Sequence, residues 1–198
     1  MPVRSMRENR SSFRALALLL GIAVLGVSPA VRAERLAAPL EAAIHLRALG
    51  YDRALPDRAG GTVLIAVLYD PSDSASVKSA DDVSGAFVSL SKKMKLQGLP
   101  IVVRSIAYKD AWPSGELSKA AAVYVTPGLE SRLNDIRSNA SRQDLPTLCG
   151  DRALAKAGLT IAVYRKGSSP GLTINLPAAR SAGMDLDSRL LAIAEVLK

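Results

Sequence analysis

The 198-residue sequence predicts an α/β fold, a three-layer sandwich whose mixed, mainly parallel sheet is flanked by helices and ends in a C-terminal β-hairpin plus helix. Three observations predict it. The run TVLIAVLY, residues 62–69, is apolar almost throughout and rich in β-branched side chains, as required of a strand covered on both faces. Apolar runs of strand length then alternate with segments of helical period, the order that builds parallel strands joined by right-handed crossovers. Near the end, two such runs are separated only by KGSSPG, which makes the last pair antiparallel.

The chain opens with Arg4, Arg7, Arg10 and Arg14, an apolar core from Ala15 to Val27, and the small residues of Val31-Arg32-Ala33. This is the pattern of a secretory signal cut after Ala33, and its apolar core is shorter than the ~20 residues of a spanning helix. The expected organisation is therefore a signal over 1–33 and a single domain over 34–198. The expected location is the periplasm, with no stable membrane insertion once the signal is removed.

In the domain, Leu36, Leu40, Ala43 and Ile44 recur at helical spacing and Gly50 closes the helix. After the loop 51–61 comes the strand 62–69, expected to be central. Residues 70–82, rich in Ser and Asp, read as a connection to a helix capped by Asp81 or Asp82. Val83, Ala86, Phe87, Leu90 and Met94 form that helix's inward stripe; Lys92, Lys93 and Lys95 complement its C-terminal dipole, and Gly98 stops it. IVVRSIAY, 101–108, and AAAVYVT, 120–126, are the next strands. A helix starting at Thr126-Pro127 turns Leu129, Leu133 and Ile136 inward.

The strand 145–150, a helix capped by Asp151 and ended by Gly158, and the strand 159–165 follow. In the last strand Ile174 and Leu176 alternate with Asn175, and Pro177, which has no N–H for a ladder, ends it. Pro177 suits the first turn of a short helix through Ala178, Ala179 and Arg180, which Gly183 closes in a left-handed conformation. Asp185 or Asp187 caps a final helix carrying Leu186, Leu190, Ile193, Ala194 and Leu197 on one face.

Composition excludes several functions. The formal charge is +8, but the signal removes five Arg and one Glu, leaving 21 basic against 17 acidic residues. The basic excess belongs mostly to export, and no basic cluster with interleaved aromatics remains to bind nucleic acid. The one cysteine, Cys149, permits neither an intrachain disulfide nor a cysteine metal site. It reads either as a small buried hydrophobe or as a thiol for an intermolecular bridge or redox sensing. His45 is the one histidine, so any nucleophile–histidine pair would have to recruit it. No glycine-rich phosphate loop follows a strand: the first strand runs straight into Asp70-Pro71. No cofactor, no metal and no catalytic residue are expected, and the chain does not read as an enzyme.

In an open α/β sheet, ligands favour the crevice at the carboxyl ends of the strands. Those ends supply Asp70, Tyr108, Asp110, Thr126 and Asp151 as candidate binding residues, and the same residue types serve as turn and helix caps. Trp112-Pro113 is either a surface anchor for a partner or a core plug.

The order from Pro146 to Lys198 resembles the closing half of the YfiR-like family of exported regulators: short strand, turn helix, hairpin ending in Ile-Asn-Leu, Ala-Ala step with a Gly, Leu-Leu helix. The residues carrying the likeness are Ile174-Asn175-Leu176 with Pro177, Ala178-Ala179-Arg180, Gly183, and Ser188-Arg189-Leu190-Leu191; TVLIAVLYDP fits the family's first strand. The resemblance implies an exported, commonly dimeric α/β domain that acts by binding, restraining a membrane diguanylate cyclase through that enzyme's periplasmic part. It implies as partners a membrane signalling protein with a periplasmic segment and a second copy of the chain. Two features depart from the family: the opening EAAIHLRALGYDRALP is nearly free of aromatics, and a single Cys replaces the family's disulfide pairs. The alternative is a periplasmic small-molecule-binding module, using the strand-end crevice and feeding a transporter or sensor kinase.

Overall fold

A computed structural model describes residues 35–198, so the signal assigned to 1–33 lies outside the described residues. The strands are β1 (Val63–Tyr69), β2 (Ile101–Ala107), β3 (Ala122–Val125), β4 (Thr147–Cys149), β5 (Ile161–Lys166), β6 (Ser169–Asn175) and β7 (Glu195–Leu197). The helices are α1 (Ala38–Leu49), α2 (Leu55–Ala59), α3 (Ser74–Ser91), α4 (Ser114–Leu117), α5 (Leu133–Arg142), α6 (Arg152–Lys156), α7 (Leu176–Ser181) and α8 (Ser188–Ile193). The strands form one sheet in the order β2-β1-β3-β4-β5-β6-β7, parallel except where β5 pairs with β6. The predicted α/β sandwich with a mainly parallel sheet is the fold observed.

β1 alternates between two cores. Val63, Ile65 and Val67 pack with Leu46 and Leu49 of α1 and Val83 and Phe87 of α3, together with Ala179 of α7 and Leu190 of α8. Leu64, Ala66 and Leu68 face the opposite layer, with Ile136 and Ala140 of α5, Ala155 of α6 and Leu117 of α4. α3 carries the chain from β1 to β2 over the first face, and α4 carries it from β2 past β1 to β3 over the second. The winding therefore reverses at β1, and the carboxyl ends of β1 and β3 become the switch point of the sheet. β1 is interior but lies one strand from the edge, not at the centre.

Several local expectations are corrected. α3 begins at Ser74, not near residue 82, because the Asp73 carboxylate accepts from the Ala75 N–H and caps it there. It ends at Ser91; Gln97 and Gly98, both at positive φ, instead form a tight turn closed by the Leu96–Leu99 pair. The helix expected from Thr126 starts at Leu133, after a 3-10 turn over Glu130–Arg132. In α1 the buried face is displaced from the Leu36/Leu40/Ala43/Ile44 stripe: Leu40 is 46% exposed, whereas Glu41, Ala42, His45, Leu46 and Leu49 are buried. Two polar residues lie on that face, which an apolar periodicity does not register: Glu41 meets polar partners inside, and His45 is buried without a hydrogen bond.

At the C-terminal end Asn175 caps α7, its Oδ1 accepting from the Ala178 N–H at 3.1 Å, and Gly183 follows at φ +67 as expected. Asp187, not Asp185, caps α8 through the Arg189 N–H. The final helix is shorter than its apolar spacing suggests. It stops at Ile193, 74% exposed, and Glu195–Leu197 joins the sheet as β7 beside β6. The Glu195 carboxylate is held by Arg152 and by the Thr173 hydroxyl at 2.9 Å, and these bonds keep its pKa low, at about 2.

Asp52, fully buried, ties the α1–α2 connection to the chain before α8: its Oδ1 accepts from the Ala54 and Asp185 N–H groups, and its Oδ2 from Arg58 at 2.5 Å. Arg58 also donates to the Ala121 carbonyl at the start of β3. Replacing Asp52 by Ala leaves a largely buried guanidinium and two N–H groups without their acceptor, so denaturant unfolding should show a loss of about 3–5 kcal/mol.

Candidate functional site

The switch point is built by a chain of hydrogen bonds. The Asp70 N–H donates to Ser76 Oγ at 2.9 Å, and Ser76 Oγ lies 2.7 Å from Thr126 Oγ1. The Thr126 hydroxyl in turn donates to the Leu68 carbonyl at 3.0 Å. Since Thr126 spends its proton on Leu68, Ser76 donates to Thr126. The end of β1, the first turn of α3 and the end of β3 are thereby fastened together, and Thr126, 1% exposed, has its hydroxyl committed to this clasp.

Around the clasp lies a charged rim. The Asp70 carboxylate accepts from the Ser72 N–H and hydroxyl; those bonds, assisted by the charge of Arg132, hold its pKa below the ordinary value. Arg132 also stands 5.9 Å from the Tyr108 ring centre. Tyr108 donates its hydroxyl to Asp135 at 2.5 Å, and burial, helped by that carboxylate, pushes its phenol up to about 12. Asp110, Tyr108, Arg132, Asp135 and Arg142 line a cavity of about 530 Å³. Of the residues expected at the strand ends, Asp70, Tyr108, Asp110 and Thr126 fall in this region. Asp151 does not: it caps α6 by accepting from the Ala153 N–H at 2.7 Å.

Cys149 is fully buried, its thiol 3.3 Å from the Asp151 carbonyl, and burial pushes its pKa up to about 12, so it stays a protonated core side chain. Trp112 is a core plug whose Nε1–H donates to Gln143. Asn175 and Gly183 act in the cap and termination described above. Pro177 occupies the first turn of α7 and Arg180 its last; Leu190 is buried and Leu191 packs at the margin of the same core.

The sequence reading missed a second polar cluster, between α1 and the ends of β3 and β4. The Tyr124 hydroxyl donates to Glu41 Oε1; Arg35 donates to the Tyr124 hydroxyl and to Ser79 Oγ, each at 2.7 Å, and lies 3.7 Å from Glu41. Burial raises the Glu41 pKa, opposed by the Tyr124 bond and by Arg35, and burial first, then Glu41, raises Tyr124 well above its usual value. A Cβ at Gly150, just past β4, would come within 2.5 Å of Arg35 Nη2 and 2.7 Å of Glu41 Oε1, so any larger residue there has to displace the ends of those side chains. His45 is fully buried beside this cluster, its Nε2 3.9 Å from Glu41 Oε1 and neither ring nitrogen hydrogen-bonded. Glu41 and His45 stand four apart on α1, a spacing that puts them on one face; only the assumption that polar faces point outward concealed it.

Among the described residues no group of three or more His, Cys, Asp or Glu has the arrangement of a metal site, and no helix is long and apolar enough to cross a membrane.

Burial pulls the His45 imidazole down to about 3, with the nearby Cys149 backbone opposing weakly. The unfolded chain takes up a proton near pH 6.5 that the folded chain refuses, so this group's stabilisation is complete above pH 6.5 and is lost as the pH falls toward 3. Glu41, shifted upward, changes in the opposite sense. In denaturant titrations, wild type should lose about 2 kcal/mol more than His45→Leu between pH 7 and pH 5; parallel slopes would contradict the buried neutral imidazole.

Comparison with solved structures gives the conserved domain protein of Vibrio cholerae O1 biovar eltor, with TM-score 0.56 and 13% identity over 81% of this chain and 60% of that one. It also gives the ABC domain from Streptococcus pneumonia in complex with L-Trp, with TM-score 0.50 and 14% identity over 76% of this chain and 62% of that one. The chain spans about six-tenths of the length of these structures. At such identities the likeness is one of fold. No curated protein matches the sequence. The family described as YfiR/HmsC-like matches residues 40–195, from α1 to the first residue of β7.

Proposed function

We propose that this chain, which belongs to the YfiR/HmsC-like family, is an exported regulator that binds a membrane signalling protein through that protein's periplasmic segment. The signal-like residues 1–33 support export to the periplasm, and the family supports regulation by contact, with a diguanylate cyclase as the output enzyme and the homodimer as a working form. The observation that carries the reading is the use of polar groups at the strand ends. Thr126, Asp73, Asp151 and the Cys149 thiol are taken up in clasps, caps and core, so the buried chemistry holds the fold together and recognition falls to the surface.

A second reading is favoured by the cavity near Asp110, where Arg132 and Arg142 stand with Asp110 and Asp135. Such a lining suits a small polar ligand bearing both charges, and the chain would then serve as a binding module for a transporter or sensor kinase.

Cross-linking of the tagged mature protein in intact cells tests the choice. The regulator predicts covalent capture of an inner-membrane signalling protein with a periplasmic segment. Capture of only further copies of the chain contradicts it and favours the ligand-binding reading.

A further inference from the structure

We propose that the outer edge of β2 is a docking strand for an extended, acidic segment of the partner, added to the sheet as an eighth strand. The proposal rests on the reading of the chain as a contact regulator and specifies where that contact is made.

β2 is a seven-residue edge strand, paired only with β1. In that ladder the Val63 N–H donates to the Pro100 carbonyl and the Tyr108 N–H to the Tyr69 carbonyl. The alternation of a parallel pair then turns the backbone groups of Val102, Arg104 and Ile106 toward β1 and those of Ile101, Val103, Ser105 and Ala107 away from it. Four N–H and four C=O groups thus face outward, in a strand without proline or bulge. On the face away from α3, Val102 is 46% exposed and Arg104 is exposed, so the strand is also open from the side. Two cavities flank it there, about 480 Å³ beside Ser105, Ala107 and Lys109, and about 290 Å³ beside Arg104 and Lys119. A free edge with adjoining pockets is the geometry of strand addition, in which main-chain bonds supply affinity and the pockets select alternate side chains.

Charge and symmetry identify the occupant. Arg104 has no acidic partner among the described residues, and exposed Lys92, Lys93 and Lys95 lead into β2, with Lys109 just past it and Lys119 on the flanking cavity. Asp110 and Glu116 are the acidic residues of the cavity walls, against Arg104, Lys109 and Lys119, so the balance of charge along those walls is basic. A second copy is disfavoured at the same position. Full-length antiparallel pairing of two β2 strands about their common centre sets Arg104 directly opposite its counterpart, in a non-hydrogen-bonded pair where side chains come closest. An incoming carboxylate at that position meets the arginine instead.

The test uses the mature protein with two blocked seven-residue peptides, one alternating valine with glutamate and the other valine with lysine. Amide hydrogen exchange is followed residue by residue. Alone, Ile101, Val103, Ser105 and Ala107 should exchange rapidly although they lie in a strand. At millimolar glutamate peptide they should slow by about tenfold or more, with no such effect from the lysine peptide. Arg104→Glu should abolish the protection. So should Val103→Pro, which removes an outward N–H and spares the β1 ladder; unchanged Tm and circular dichroism show that each variant folds. Equal protection by both peptides, or none by either, overturns the proposal. Slow exchange at these amides in a dimer without peptide assigns the edge to a second copy and also overturns it. If cells still yield a cross-linked membrane protein and neither variant weakens that capture, the edge assignment fails while the regulator stands. Peptide protection with no cellular partner would leave the edge assigned and the regulator reading lost.

Discussion

A strand with no polar side chain on either face sets the terms for everything else in this fold. Val63 to Leu68 have to be covered from both sides, so the chain needs helices in two layers and must cross from one to the other. α3 and α4 meet that need by returning on opposite faces, which is why β2 and β3 flank β1 and the winding reverses there. The same constraint makes β2 an edge. Its outer backbone is left over from a topology whose purpose is to bury its neighbour.

Polar residues inside the domain work as fasteners between elements distant in sequence. The Ser76–Thr126 pair joins α3 to β3, the Glu41–Tyr124–Arg35 group joins α1 and the start of the described chain to β3, and Asp52 with Arg58 joins the α1–α2 connection to the chain before α8. Each places ionisable or hydroxyl groups out of water, which is tolerable only because nearly every lone pair and proton finds a partner. Arg58 Nη1 and the two ring nitrogens of His45 are the exceptions among the described residues. The His45 imidazole is retained in neutral form without a hydrogen bond, edge-on to the Tyr124 ring at 5.6 Å between centres.

The parts of the structure legible in the sequence were those written in apolar periodicity and in glycine or proline placement. β1, the strand–helix–strand unit around Asp151 and the step from Asn175 through Gly183 all followed from such signals. Errors arose where polar side chains decide. Asp73 claimed the start of α3 because an aspartate ten residues upstream of the apolar stripe that begins at Val83 caps as well as one adjacent to it. Glu195 drew the end of the chain into the sheet through Arg152 and Thr173, contacts across more than twenty residues that no local pattern encodes. The site was legible in outline: strand-end residues could be named, but that Thr126 faces inward to Ser76 while Asp110 lines an open cavity depends on packing.

On the proposed reading the domain is an exported scaffold whose output lies in contact with a partner. Intracellular cyclic-di-GMP tests that most directly, measured in cells lacking the chain and in the same cells supplied with wild type or with an Asp70→Asn, Arg142→Gln double variant. The account predicts that loss of the chain changes the level and that wild type and double variant both restore it. An unchanged level, or restoration by wild type alone, would contradict it.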